Sequence, residues 1–208
     1  MIRAYDKSYL PGMMDQLGVM YDYGVHALGF TITEIHSRFI SQIAPLIEMA
    51  HPKYLAGLSG CDFALMITGS EFKADYMTDG RSPEYWSGWA LAYLQWYSGY
   101  TFIQIERALP LSEILSMYNP YHEADITKFA EDSLSIIKKR MSEDRSSRLK
   151  EIRKSSGITQ KELSEMSGIS LRTIRSYEQS SRSLDRAEFG RLKLLSQCLH
   201  CKISDLVI

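Results

Sequence analysis

At 208 residues the chain has room for one or two domains. Its 45% hydrophobic and 24% charged residues are those of an ordinary globular protein, and no internal repeat or low-complexity tract interrupts it. The net charge of −1 hides an asymmetry: residues 145–208 hold 13 Lys+Arg against 7 Asp+Glu, a net of +6, while residues 1–144 hold 11 against 18, a net of −7.

A basic tail on an acidic body is the layout of a protein whose carboxyl-terminal module meets a polyanion. The body would repel DNA, so contact is expected from the tail alone. The amino terminus, MIRAYDKSYL, lacks the apolar core of a signal peptide. The uncharged run from Tyr85 to Ile105 is long enough to raise the question of a membrane span. It is interrupted by Ser98-Gly99 and carries Gln95, Gln104 and several tyrosines, so it reads as a buried helix and a turn. Three cysteines, an odd number, argue against a disulfide framework and for a reducing compartment, the cytoplasm. Cys198 and Cys201 flank His200 in a lone C-x-x-C, which reads as a helix end and turn, not a zinc or redox site. No cofactor and no metal are expected.

In chain order, Tyr9 to Leu28 places Met13, Met14, Leu17, Met20, Tyr21 and Val25 near helical spacing, with Gly29 as the stop. Thr31 and Glu34 form a capping box that opens a helix to about Met49, with Ile32, Ile35, Phe39, Ile43 and Leu46 inward and a kink or interruption near its end at Pro45. His36 has no partner at i+4, so it reads as a surface or satisfied core histidine. His51-Pro52 breaks the pattern, and a further helix spans about 59–67. Residues 69–81 are polar and turn-like. Ser82-Pro83-Glu84 then gives a helix start of hydroxyl cap, proline and carboxylate. The segment that follows, YWSGWALAYLQWY, is apolar nearly all round and predicts the central helix of the amino-terminal domain. Trp86, Trp89, Tyr93 and Trp96 form an aromatic stripe on it, suited first to a core and otherwise to a ligand pocket or dimer seam. Thr101 and Gln104 box a short helix to Leu109, and about two turns follow from Pro110 to Met117 before the turn at Asn119-Pro120. From about Ala124 an amphipathic helix carries Ile126, Phe129, Leu134, Ile136 and Ile137 and ends in Lys138-Lys139-Arg140. Residues 141–147 form the boundary, as a linker or as continued helix.

The carboxyl-terminal stretch begins with Ser147 as a cap and Leu149 and Ile152 inward. Thr159 to Glu178, TQKELSEMSGISLRTIRSYE, reads as two short helices at a tight corner. Thr159 and Glu162 make a capping box, Leu163 and Met166 supply the apolar face, and Gly168 ends the first helix in the left-handed conformation. Ile169 fills the turn and Ser170 caps the second helix, whose Ile174 and Tyr177 face inward. Leu171, Arg172, Arg175 and Ser176 remain outward, a face suited to base edges in a major groove. Leu184 to Leu199 follows as a helix with Leu192, Leu194 and Leu195, and 204–208 is a last apolar turn. No strand pattern is evident, so the chain reads as all-α.

Residues from about 147 to 208 resemble the helix-turn-helix domain of phage repressor and Cro-type regulators, the XRE-like class, at Leu149, Arg153, Gly157, Thr159-Gln160, Leu163, Gly168-Ile169-Ser170, Thr173-Ile174 and Glu178. The resemblance implies a five-helix repressor-like domain over 145–208 behind an acidic helical domain over 1–144. It implies phosphate contact from Gln160 and base contact from Leu171, Arg172, Arg175 and Ser176. Lys161, Ser170, Thr173 and Arg182 complete the expected DNA-facing set, and Arg153 with Glu178 is the implied structural ion pair. Ser164 stands where the family usually has alanine, and the loop 179–183 lacks the glycine common after the glutamate. The amino-terminal domain resembles the acidic, RSPEYW-containing helical domain ahead of repressor-like modules in some Firmicute regulators.

The expected function is a sequence-specific transcriptional regulator, a repressor bound to double-stranded DNA as a homodimer on a palindrome. The alternatives are an antitoxin-type autoregulator whose amino-terminal domain clasps a toxin protein, and a ligand-sensing regulator with a small molecule against the aromatic helix. No membrane partner is expected. Catalysis is disfavoured because no serine, histidine or carboxylate falls at nucleophile-elbow, zincin or P-loop spacing.

Overall fold

A computed structural model describes residues 3–77, 82–179, 184 and 187–207, without the side chains at 142 and 144–147. Contacts divide the chain into two compact units, Met1–Ile137 and Lys138–Ile208. Every element is helical, and no strand occurs among the described residues.

The first unit is organised by α1 (Leu10–Asp22), which continues as a π-helical turn over Tyr23–Ala27, and by α6 (Pro83–Ser98), on which α1 packs most extensively. Ser82 caps α6 by accepting from the Tyr85 amide at 2.9 Å, and Gly99 ends it at φ 67°. The two helices approach closely because Gly88 of α6 lies on α1: a Cβ there would fall 2.4 Å from the Leu17 carbonyl oxygen. Met13, Leu17, Met20, Ala90 and Leu94 are shielded from solvent at this seam.

Between these two helices the chain runs through α2 (Ile32–Gln42), α3 (Ala44–Glu48), α4 (Pro52–Ala56) and α5 (Gly60–Thr68). The Thr31–Glu34 capping box opens α2 as expected. The break expected near Pro45 falls at Ile43, between α2 and α3, because Pro45 in the first turn of α3 has no amide hydrogen to continue the ladder. Ser59 and Asp62 box the start of α5. His36 is a satisfied core residue: Tyr21 Oη lies 2.5 Å from its Nδ1 and Glu106 Oε2 lies 2.8 Å from its Nε2. Burial raises the Glu106 carboxyl, but the hydrogen bond and charge of His36 and the Leu111 amide hold it below its ordinary value. The carboxylate therefore accepts, and Nε2 of His36 carries the donated proton.

After α6, the short helices α7 (Phe102–Ala108), α8 (Leu111–Ser116) and α9 (Tyr118–Tyr121) lead into α10 (Ile126–Ser155). The Thr101–Gln104 box stands as expected. Two expectations are corrected along α10. The helix does not end at Lys138-Lys139-Arg140, and Ser147 does not start a new one, since the helical backbone runs unbroken to Ser155. The interval between those positions, MSEDRSS, contains neither glycine nor proline, so no residue in it forces a stop.

The second unit adds α11 (Gln160–Ser167), α12 (Leu171–Glu178), α13 (Phe189–Cys198) and α14 (Ile203–Leu206). Its core gathers Leu149, Leu163, Ile174, Tyr177, Leu195 and Leu206. The helix expected from Leu184 begins instead at Phe189, although Leu184 itself is buried in the core. Of the three leucines on this helix, Leu192 and Leu195 are buried and Leu194 is exposed.

Candidate nucleic-acid interface

The corner between α11 and α12 is fixed from its own sequence outward. At its start the Thr159 amide donates to Glu162 Oε2 at 2.7 Å, and the Glu162 amide donates back to Thr159 Oγ1 at 3.2 Å. Hydrogen bonds to the carboxylate from the Thr159 amide and the Thr159 hydroxyl hold the Glu162 carboxyl below the usual carboxylate range. Gly168 ends α11 at φ 66°, a conformation that costs a side-chain-bearing residue about 1–2 kcal/mol. Two serines then hold the turn. Ser164 Oγ donates to the Ile169 carbonyl at 2.6 Å, and Ser167 Oγ donates to the Leu163 carbonyl at 2.6 Å while accepting from the Ile169 amide at 3.3 Å. Sequence reasoning missed this pair, and its signal was a hydroxyl at each of two helix positions just before a glycine stop. Met166, expected inward beside Leu163, is 54% exposed and lies on the outer face of α11.

Ser170 caps α12: its Oγ accepts from the Thr173 amide at 3.2 Å and lies 2.8 Å from Thr173 Oγ1. Ile174 and Tyr177 are buried, which fixes the rotation of the short helix about its axis. Arg172 and Arg175 are thereby left exposed, with Leu171, Thr173 and Ser176 half-buried beside them. Ser176 Oγ donates to the Thr173 carbonyl at 3.2 Å. Lys161, on the first turn of α11, is exposed, with Nζ 3.8 Å from Glu165. Arg182 lies outside the described residues.

Beneath the corner, Arg153 and Glu178 meet through two bonds, Nε to Oε1 at 2.6 Å and Nη2 to Oε2 at 3.0 Å. Arg153 Nη1 also donates to the Ile158 carbonyl at 2.7 Å. Gln160 is half-buried and donates through Nε2 to Glu178 Oε2 at 2.7 Å. Burial pushes the Glu178 carboxyl up, but the bonds from Arg153 and Gln160, with the charges of Arg153 and Lys150, bring it below its ordinary value. A cleft of about 330 Å³ opens beside the turn, lined by Ser167 to Ser170, Thr173, Arg191 and Leu194. Among the described residues no group of three or more histidine, cysteine or acidic side chains is placed to hold a metal, and Cys198 and Cys201 are free thiols. No helix among them is long and apolar enough to cross a membrane.

The family model that matches this chain is described as helix-turn-helix and covers residues 149–206. These residues match the XRE-type helix-turn-helix family. The match takes in the capped corner, the Arg153–Glu178 pair and the exposed arginines, and it leaves residues 1–148 outside. Comparison with curated proteins and with solved structures finds no match. A helix-turn-helix match of this kind points to DNA-binding transcription regulation, and α12 is the second helix of the matched corner.

Proposed function

We propose that the protein is a sequence-specific transcriptional repressor that binds a palindromic operator as a homodimer. The observation that carries this reading is the exposure of Arg172 and Arg175 on a short helix whose rotation is fixed by buried Ile174 and Tyr177. Two guanidiniums on that face suit guanine O6 and N7 in a major groove, with Ser170, Leu171, Thr173 and Ser176 completing the reading surface. Gln160, Lys161 and Arg182 contact phosphate and set the register, without sequence preference of their own. A single small module buries little DNA surface, so two copies on half-sites about 34 Å apart, or a multiple of that, supply the affinity. Genome-wide footprinting of the tagged full chain tests this. It is expected to return inverted repeats near a small set of promoters, and a featureless, sequence-independent footprint contradicts it.

For the amino-terminal unit a protein partner, as in an antitoxin-type autoregulator, is favoured over a small effector. Trp86 and Trp96 are buried: Trp86 packs edge-on to Tyr118 and Phe129, and Trp96 donates to the Tyr5 carbonyl beneath the Arg3 guanidinium. The acidic balance of residues 1–144 and exposed Phe72 and Met77 suit a basic partner with an apolar patch. A basic protein encoded beside this gene that co-purifies with residues 1–208 supports the antitoxin reading; an isolated gene opposes it.

A further inference from the structure

The carboxylate of Glu178 does more than neutralise Arg153. It accepts three hydrogen bonds, two from the guanidinium and a third from the Gln160 amide at 2.7 Å. We infer that Glu178, at the end of α12, is a positioning residue for Gln160 at the start of α11, so that the phosphate-contacting amide is set by the recognition helix before DNA arrives. The inference rests on the DNA reading above and extends it to how the two contacting elements are held in register.

The chemistry dictates which way the amide faces. An ionised carboxylate only accepts, so Nε2 of Gln160 must turn toward Glu178 and the carbonyl oxygen must turn away. One of the two N–H groups is consumed, and the other remains for a phosphate oxygen. A glutamine at a helix start otherwise samples many rotamers, and fixing it beforehand removes an ordering cost from binding. The same network fixes the backbone beside it: Arg153 Nη1 holds the Ile158 carbonyl, one residue before the Thr159 cap. Glu178 thus links the last turn of the base-reading helix to the first turn of the phosphate-contacting helix. A purely structural Arg153–Glu178 pair would not require the third bond.

The test combines side-chain dynamics with a binding cycle on the full chain. In DNA-free protein the 15N order parameter of the Gln160 side-chain amide is expected to approach the rigid-backbone value of about 0.85, and a value below about 0.6 overturns the inference. The DNA probe is a duplex recovered by footprinting. Gln160→Met keeps the length and loses the amide. Glu178→Gln keeps the shape and weakens the clamp. Each is expected to weaken binding about five- to tenfold, and the double variant to be no weaker than the worse single. Independent effects that multiply in the double variant overturn the inference while leaving DNA binding intact. Where Glu178→Gln does not fold, Gln160→Asn replaces it. This variant keeps an amide, falls one methylene short of Glu178 and leaves the ion pair whole. It is expected to bind as weakly as Gln160→Met, and parent-like affinity overturns the inference. A parent chain that binds no duplex at low ionic strength fails at the DNA reading itself and removes the inference with it.

Discussion

Helices α6 and α12 begin alike, each with a serine whose hydroxyl accepts from an amide three residues on, and are then put to opposite use. In α6, ten of sixteen residues are buried, and its serines turn back on their own backbone, as Ser87 does on the Pro83 carbonyl. In α12 only three of eight are buried, Ile174, Tyr177 and Glu178, and two arginines, Arg172 and Arg175, are left exposed. Burial around most of its circumference, leaving the line Tyr85, Trp89, Tyr93 and Tyr97 half-buried, makes α6 a scaffold on which the first unit condenses. Burial on one narrow stripe makes α12 a presenter: just enough apolar contact to fix its rotation, with the cations outward. The difference teaches where to look for function in an all-helical chain, namely where a well-capped helix declines to bury its cations.

That contrast can be broken most forcefully beneath α12. Arg153→Ala leaves the Glu178 carboxylate buried without its partner, and is expected to cost the helix-turn-helix domain about 3–5 kcal/mol in denaturant unfolding while amide signals from residues 1–137 stay in place. The same pair gives a pH signature. The folded Glu178 carboxyl lies below its ordinary value, so its contribution is present above about pH 4.3 and is lost as the pH falls through the folded value. In Glu178→Gln that component of the acid sensitivity should vanish.

Next in size is the α6 seam. Gly88→Ala would drive a Cβ against the Leu17 carbonyl and the Tyr21 ring, at 2.4 Å and 2.5 Å, and backbone on that side has little room to yield. A loss of about 1–3 kcal/mol is expected, read as a lower denaturation midpoint with DNA affinity unchanged below the transition. Arg172→Ala should do the reverse. Stability should hold, while binding to the preferred duplex weakens by about 1–3 kcal/mol and preference relaxes at one base pair in a competition assay. The smallest effect belongs to Lys161→Ala, which is expected to weaken all duplexes alike and to lower the slope of log affinity against log salt by about 0.9.

The carboxyl-terminal motif was legible because its signals are local. Thr159 and Glu162, Gly168, and Ser170 each act within three residues, so sequence spacing alone carries their meaning. Met166 misled for the same reason: helical spacing places it beside Leu163, but only the packing of α13 decides which side of α11 is covered. The serines at 164 and 167 offered only hydroxyls ahead of a glycine stop, and their role as turn-holders depends on where the Ile169 backbone folds back. In the first unit, capping boxes at Thr31 and Thr101 and the start at Ser82 were likewise readable. The Tyr21–His36–Glu106 chain was not, since its members lie 15 and 70 residues apart and meet only when α1, α2 and α7 pack. The continuation of α10 past Arg140 stayed one of two readings, beside a linker, because a cationic cluster suits a helix end equally well as a helix surface.

The most direct measurement is a titration of the full chain and of the Arg172→Ala/Arg175→Ala double variant against a footprinted duplex and its scrambled counterpart, across a salt series. The account predicts that the parent prefers the footprinted sequence at every salt concentration and that the double variant, equally stable, binds both duplexes with the same weak affinity. A double variant that still distinguishes the two sequences as the parent does would contradict it.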